Sequence, residues 1–102
     1  MNDKIKWLDY EFTSLKPDAP WNDVGGVCIF CGVNQKNEWQ SFYIGIAQSF
    51  RERFSSHEKW DKAAKLGATH IHALVEENEE RRVAIEKTLI GLWKPPLNTN
   101  HV

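Results

Sequence analysis

The amino-acid sequence predicts a small α+β domain in which helices flank a three-stranded antiparallel sheet. Two stretches rich in β-branched and aromatic residues, 26–33 and 41–47, are separated by a polar segment at 34–38. This pattern predicts a β-hairpin. The chain then carries a helical pattern, a third strand pattern and a second helical pattern. This order gives a layer of helices packed against a small antiparallel sheet.

The first helix is predicted over residues 49–66. Ser49 followed three residues later by Glu52 forms a capping box, which marks a helix start. Gly67 follows the last helical residue, and glycine is the usual residue at a helix C-terminal stop. The third strand is predicted over residues 69–75, where β-branched and apolar residues return.

The second helix is predicted over residues 78–93, because apolar side chains recur there at helical spacing on one face: Ile85, Leu89 and Leu92. Pro95-Pro96 ends this helix. Before the hairpin, residues 1–24 are predicted to form a short element and a loop rich in Pro and Asp. The chain is therefore divided into an N-terminal extension at 1–24 and one domain at 25–102.

The composition is that of a folded globular domain. Hydrophobic residues make up 41% of the 102 residues, and five are Trp and five are Phe, which argues against a disordered chain. A chain of this length buries a modest core without disulfides or structural metals. No apolar run approaches the length of a membrane span, and the N-terminus lacks a signal-peptide pattern. We therefore expect a cytoplasmic protein with no membrane partner.

The formal net charge of −1 argues against tight non-specific binding to nucleic acid. The charged residues are unevenly distributed, however. Residues 51–65 carry five basic side chains against three acidic ones, so the first helix offers a local basic surface on a nearly neutral body. Arg51, Lys59 and Lys62 are the candidate phosphate contacts, and we expect modest affinity.

Tyr43, Arg53 and His57 are the first candidate site residues. Tyr43 alternates with Phe42 and Ile44 on the second strand and is expected to face away from both. Arg53 and His57 are four residues apart on the predicted helix, so they share a face close to the exit of that strand. Taken singly, each is more often an ordinary surface or packing residue. A phenol, a guanidinium and an imidazole near one helix N-terminus suit a phosphate better than a core.

Glu86 is the candidate metal ligand. It lies in the second predicted helix on the face flanked by Val83 and Ile90, where a half-buried carboxylate without a partner is energetically costly. A divalent cation would offset this cost, and one carboxylate completed by water molecules suits Mg²⁺ or Mn²⁺. The alternative is that Glu86 forms an ion pair with Arg82.

Six sequence elements occur together along residues 24–99: Gly26-Val27-Cys28, Tyr43-Ile44-Gly45, Arg53, His57, Glu86 and Asn98. In this order and spacing they resemble the motifs of the GIY-YIG nuclease superfamily. The first motif stands where the family has its Gly-Ile-Tyr strand, and the second motif is intact. A lone Tyr-Ile-Gly is weak evidence, whereas six elements in register are specific.

The resemblance implies a metal-dependent endonuclease that hydrolyses phosphodiesters in DNA. Tyr43 and His57 would orient or deprotonate the attacking water, and Arg53 would stabilise the transition state. Glu86 would hold one Mg²⁺ or Mn²⁺ ion. Asn98, at the family's closing position, joins the candidate nucleic-acid contacts. We expect DNA as the partner, with specificity supplied by a homodimer, a partner protein or the shape of the substrate.

Cys28 departs from the family pattern, which has at this position a tyrosine with a part in activating the attacking water. A thiol is shorter than a phenol and titrates near ~8.5 rather than ~10, so it does not span the same gap. Cys28 stays among the candidate catalytic residues, with impaired catalysis as the consequence. The alternative function is an inactive module of this fold that binds nucleic acid or a protein. Cys28 and Cys31 lie on opposite strand faces, so a shared metal or disulfide is not expected.

Overall fold

A computed structural model describes residues 3–54 and 58–98 of the chain. These residues form five strands, three α-helices and one short 3₁₀ turn: β1 (Asp3–Trp7), β2 (Tyr10–Leu15), β3 (Gly26–Val33), β4 (Trp39–Ala47), α1 (Phe50–Arg53), α2 (Glu58–Leu66), β5 (His70–Val75), α3 (Glu79–Trp93) and the 3₁₀ turn Pro96–Asn98. The strands make one antiparallel sheet in the order β1-β2-β5-β3-β4. The α+β class and the 26–33 strand are confirmed, and the other predicted strands shift by one or two residues at an end.

The predicted number of three strands is wrong, because the described N-terminal residues form a β1–β2 hairpin that joins the same sheet. Strand β2 pairs with β5 from Thr13↔Ala73 to Leu15↔Ile71. The hairpin carries little sequence signal. Its turn contains no Gly or Asn, and Leu8 at the turn has a φ of 59°, a left-handed conformation that leucine rarely adopts.

The sheet separates two cores. The core on one face, called here the tyrosine-side core, includes Cys28, Phe30, Tyr43, Phe50 and Ala63. The core on the other face, called the α3-side core, includes Trp7, Val27, Ile29, Ile44, Ile85 and Leu89. Strand β3 supplies both, because successive side chains of a strand point to opposite faces. Helix α3 therefore covers one face, while α1 and α2 cover the other.

A β-bulge changes the expected orientation of Tyr43. Phe30 pairs with Tyr43 and Cys31 pairs with Ser41, so Phe42 is skipped in the register. Phe42 and Tyr43 consequently both contribute to the tyrosine-side core. The expectation that Tyr43 faces away from Phe42 is wrong, whereas its separation from Ile44 is confirmed.

The predicted helix over 49–66 consists of two helices. Ser49 caps α1, and its hydroxyl accepts a hydrogen bond from the Glu52 N–H at 3.3 Å, so the predicted start is confirmed. Helix α1 ends before Phe54, whose ring packs 4.5 Å from that of Trp21. The predicted stop is confirmed by Gly67, which has a φ of 122°.

Helix α3 begins after the N-cap Asn78, whose side chain accepts a hydrogen bond from the Arg81 N–H at 2.9 Å. Its apolar face is narrower than predicted, since Ile85 and Leu89 are buried and Leu92 is exposed. No helix in the described ranges has the length and apolar character needed to cross a membrane.

His72 ties strand β1 to strand β5 inside the α3-side face of the sheet. The Trp7 indole Nε1–H donates to His72 Nδ1 at 2.9 Å, and the Trp39 ring lies 4.4 Å from the imidazole. Burial, with a smaller contribution from His70, lowers the pKa of His72 from 6.5 to about 4. A protonated Nδ1 cannot accept the Trp7 hydrogen bond, so the fold requires the neutral imidazole.

We predict that the protein loses stability as the pH falls from about 6.5 to about 4. In this window the unfolded chain binds a proton at His72 that the folded chain does not, so the free energy of unfolding falls, by up to ~3 kcal/mol. Urea unfolding at several pH values measures this. His72→Gln should remove much of the fall, and His70→Gln, which keeps the Trp7 bond, should retain most of it. An equal pH dependence in parent and His72→Gln would contradict the prediction.

Candidate active site

The hydrogen bond between Tyr43 and Arg53 is the centre of the candidate site. Arg53 extends from α1 and donates from Nη2 to the Tyr43 hydroxyl at 3.0 Å. The phenol ring lies back over its own strand, close to Gly45. A Cβ atom placed on Gly45 would be only 2.7 Å from the Tyr43 hydroxyl oxygen. Glycine at position 45 therefore makes room for the ring. The Tyr-Ile-Gly motif and the α1 arginine act as one geometric unit.

The Tyr43 hydroxyl is arranged to give a proton rather than to take one. Burial and the neighbouring Cys28 raise the pKa of this phenol, while the Arg53 guanidinium opposes the shift. The phenol is thus protonated at neutral pH. Since its oxygen already accepts from Arg53, its own proton is available to a phosphate oxygen or a water molecule.

Cys28 belongs to the same core cluster as Tyr43, on the same face of the sheet. It pairs with Gly45 across β3 and β4 and is completely buried. Burial raises the pKa of its thiol to about 12, although the nearby Arg53 opposes this. A thiol with this pKa is protonated at neutral pH and does not act as a general base.

Glu86 is a half-buried carboxylate without a protein partner among the described residues. Burial raises its pKa, and Lys87 partly opposes the shift. Its negative charge also contributes to raising the pKa of Tyr43 and of Cys28, so it lies near both groups. Ile85 of helix α3 packs in the α3-side core. Glu86 is the next residue, so its side chain is turned by about 100° around the helix axis from that of Ile85. Glu86 thus belongs to the neighbourhood of the Tyr43–Arg53 pair.

The alternative ion pair between Glu86 and Arg82 is not formed. Arg82 is buried and its Nη1 donates to the backbone carbonyl of Glu76 at 3.1 Å. Its guanidinium also packs against Gly25, where no side chain would fit. From the sequence, Arg82 was interpreted only as an ion-pair partner for Glu86. The Gly25-Gly26 pair was the one sequence signal that the Arg82 side chain packs closely against this segment.

The donor set around Glu86 suits a hydrated hard cation. In residues 3–54 and 58–98, no cluster of three or more His, Cys, Asp or Glu side chains could hold a metal ion. A cation here would be held by one carboxylate oxygen donor and by water molecules, which is how Mg²⁺ is commonly bound. A cation would also relieve the cost of ionising a half-buried carboxylate.

The remaining candidate residues occupy different places. Lys59 lies at the site, with its Nζ 5.7 Å from the centre of the Tyr43 ring. Arg51 is exposed and donates from Nε to the Trp21 carbonyl at 3.4 Å. Lys62 is exposed on α2. His57 lies outside the described residues.

Asn98 completes the open edge of β4. Its Oδ1 accepts from the Ile44 N–H and its Nδ2 donates to the Ile44 carbonyl, both at 2.8 Å. These bonds replace the neighbouring strand that an edge residue lacks. Asn98 therefore fixes the strand that carries Tyr43, and its amide is engaged by the protein backbone.

We predict that Glu86→Gln stabilises the metal-free protein at neutral pH. Burial raises the pKa of Glu86 above 4.5, so the folded state favours the protonated carboxyl and ionisation costs stability as the pH rises through that range. The gain should vanish in acid, where both forms are neutral. Denaturant unfolding in EDTA measures it. Glu80→Gln, an exposed change in the first turn of α3, should give no gain. A less stable Glu86→Gln protein at neutral pH would contradict the prediction.

The described fold matches solved nuclease domains. The GIY-YIG N-terminal endonuclease domain of UvrC from Thermotoga maritima, bound to its catalytic divalent cation magnesium, aligns with a TM-score of 0.62 and 25% identity over 78% of this chain and 88% of that chain. An asparagine-to-alanine point mutant of the same domain aligns with a TM-score of 0.61 and 23% identity over 74% and 83% of the respective chains. A scan against protein-family models and a search of curated proteins find no match. The chain therefore folds as a GIY-YIG domain, and the resemblance seen in its motifs is confirmed.

Proposed function

We propose that this domain is a metal-dependent endonuclease that hydrolyses phosphodiester bonds in DNA. The observation that carries the proposal is the Arg53–Tyr43 hydrogen bond, with the half-buried carboxylate of Glu86 near enough for its charge to act on Tyr43 and without a partner among the described residues. A guanidinium, a phenol with a free proton and a carboxylate that favours a cation are the groups that phosphoryl chemistry requires. The similar UvrC domain is an endonuclease with a catalytic divalent cation, which supports the same assignment.

In the proposed reaction, Arg53 binds the scissile phosphate and neutralises the charge that develops on its oxygens. Tyr43 orients the attacking water through its hydroxyl, and His57 is the proposed acceptor of the water's proton as the water oxygen bonds to phosphorus and the bond to the leaving oxygen breaks. Glu86 would hold one Mg²⁺ or Mn²⁺ ion. That ion would supply additional charge stabilisation at a phosphate oxygen.

DNA is the proposed partner. Lys59 at the Tyr43 ring and the exposed Arg51 and Lys62 are the proposed backbone contacts. Their small number and the net charge of −1 imply weak, salt-sensitive binding. We propose that a second copy of the chain or a partner protein raises the specificity.

A plasmid-nicking assay with Mg²⁺, Mn²⁺ or EDTA tests the proposal. The parent should nick supercoiled DNA only with a divalent cation, and Glu86→Ala should abolish nicking because the cation site is lost. Arg53→Ala should slow nicking by roughly 10²–10³-fold, the usual cost of removing one transition-state donor. Lys36→Gln, the loss of an exposed charge in the β3–β4 turn, should nick like the parent. Nicking that persists in EDTA or in Glu86→Ala would refute this site.

One observation favours the second candidate function, a catalytically inactive module that binds nucleic acid or a protein. Cys28 is fully buried, and its thiol, with a pKa of about 12, cannot replace a water-activating phenol. The site then depends on Tyr43 and His57 for proton transfer. The DNA-nicking activity of Cys28 variants distinguishes the nuclease from the inactive module.

We predict that Cys28→Ala nicks DNA at nearly the parent rate, because a thiol that stays protonated is not a general base. A loss approaching the ~10²–10⁴-fold typical of a removed acid or base would contradict this. Cys28→Tyr should raise cleavage by restoring a hydroxyl beside Tyr43. The added ring could cost roughly 1–3 kcal/mol, so folding is checked by circular dichroism.

A folded Cys28→Tyr protein no more active than the parent would count against the simple loss of a base. If the parent and Cys28→Tyr both bind DNA and neither cleaves it with any divalent cation, the module function is correct.

A further inference from the structure

A second concave site lies next to α1, and its lining includes neither Tyr43 nor Arg53. It is a cavity of about 270 Å³ between residues 19–24 and the surface of strands β2 and β5, and it is called here the loop groove. Apolar side chains form most of its wall: Leu15, Trp21, Val24, Phe50, Ala73 and Val75. Val75 is 58% exposed, so part of this apolar surface faces solvent. The proposed cleavage chemistry makes no use of it.

The loop groove is fixed to the candidate active site through α1. The Phe50 N–H donates to the Val24 carbonyl at 2.9 Å, and the Arg51 N–H donates to the Asn22 carbonyl at 3.1 Å. The Arg51 Nε also donates to the Trp21 carbonyl. Arg51 is exposed and bonded through Nε to Trp21, which lines the groove, so its Nη donors lie next to the groove and can meet a phosphate. The groove and the phosphate-binding helix therefore form one unit.

The size and lining of the groove fit a nucleobase. Its volume is slightly below the ~300–1,000 Å³ of sites for drug-sized ligands, which suits a single ring system. Trp21 and Phe50, with ring centres 5.8 Å apart, offer an aromatic wall, and every base has a face that stacks on such a wall. Thr13 and Asn22 add polar groups to the lining.

Trp21 also carries an unsatisfied donor. Its indole Nε1–H is buried and has no hydrogen-bond partner within residues 3–54 and 58–98. A small turn of the ring towards the groove would bring this donor to an acceptor on a base edge, and the cost of an unpaired buried N–H would be removed. An apolar peptide side chain would fill the groove without using this donor, the polar lining or Arg51.

We propose that the loop groove binds one unpaired nucleobase of the DNA substrate, with the phosphate of that nucleotide at Arg51. The inference rests on the proposed function, because it takes DNA as the ligand. Residues two apart on a helix point to different sides, so α1 separates this base from the phosphate at Arg53. The base is held beside the cut and not at it. The substrate class is consequently DNA with a single-stranded or extruded nucleotide next to the cleaved bond.

The test is binding of a single-stranded DNA trinucleotide in EDTA, which prevents cleavage. The parent is titrated with the normal trinucleotide and with one that is abasic at the centre, and ¹⁵N NMR follows the Trp21 indole and the amides of the groove. The normal trinucleotide should shift these signals and bind roughly five- to 140-fold more tightly, since base stacking contributes ~1–3 kcal/mol and ~1.4 kcal/mol is tenfold. Equal affinities, no binding, or shifts confined to other surfaces would overturn the inference.

Paired variants locate the effect. Val75→Asp places a charge in the groove and should bring the ratio of the two affinities close to one. Val33→Asp is the matched control, because it makes the same change on an exposed valine at the end of β3 that is distant from Val75. It should leave the ratio unchanged. If Val75→Asp and Val33→Asp give the same ratio of affinities for the normal and the abasic trinucleotide, the inference is overturned. Groove signals that respond to a leucine-rich peptide and not to the trinucleotide would assign the groove to a protein partner and also overturn it.

The outcomes separate this inference from the proposed function. A groove that discriminates the abasic trinucleotide in a protein that never nicks DNA would support the groove and reject the nuclease. A protein that nicks DNA with Mg²⁺ yet shows no discrimination would do the reverse.

Discussion

The central strand β3 sets the arrangement of both cores and of the candidate site. It is hydrogen-bonded along both edges, to β4 and β5, and it is buried on both faces up to Gly32. Cys28 and Phe30 fill one core and Val27 and Ile29 the other, so a slip of one residue would exchange the two cores. The pairing of Cys28 with Gly45 follows from this register. The position of Tyr43, and through it of Arg53, is thereby set by the centre of the sheet.

The candidate site places ionisable groups where burial disfavours their charge. Burial raises the pKa of Tyr43, Cys28 and Glu86 alike. Only the phenol has a cationic hydrogen-bond partner among the described residues. Glu86 and Cys28 have no such partner there. The Cys28 thiol stays neutral, whereas the Glu86 carboxyl ionises at a cost in free energy that a bound cation would offset. This contrast explains why Glu86 and Cys28, both close to Tyr43, have opposite proposed importance.

The sequence predicted those elements whose signals are local. The β3 bounds, the Ser49 cap and the Gly67 stop depend on strand periodicity and on cap chemistry, and all three are confirmed. The β1–β2 hairpin was missed because its turn uses Leu8 in a left-handed conformation, without the usual Gly or Asn. The bulge at Phe42 was missed because no residue type marks a skipped register position. For the candidate site, motif spacing pointed to Tyr43 and Arg53, which the structure joins by a hydrogen bond. That Glu86 has no partner among the described residues and that the Asn98 amide is engaged by Ile44 depend on tertiary contacts that spacing does not contain.

We propose that a cation bound by Glu86 lies next to the Tyr43–Arg53 pair. Paramagnetic broadening by Mn²⁺ in the ¹⁵N NMR spectrum of the full chain tests it most directly, because the ion removes signals from nearby amides whether or not cleavage occurs. We expect loss of the Glu86 and Gly45 amide signals at low Mn²⁺ concentration, reversal by excess Mg²⁺, and no such loss in Glu86→Gln. Broadening centred on the acidic segment 76–80, with the Gly45 signal intact, would contradict it.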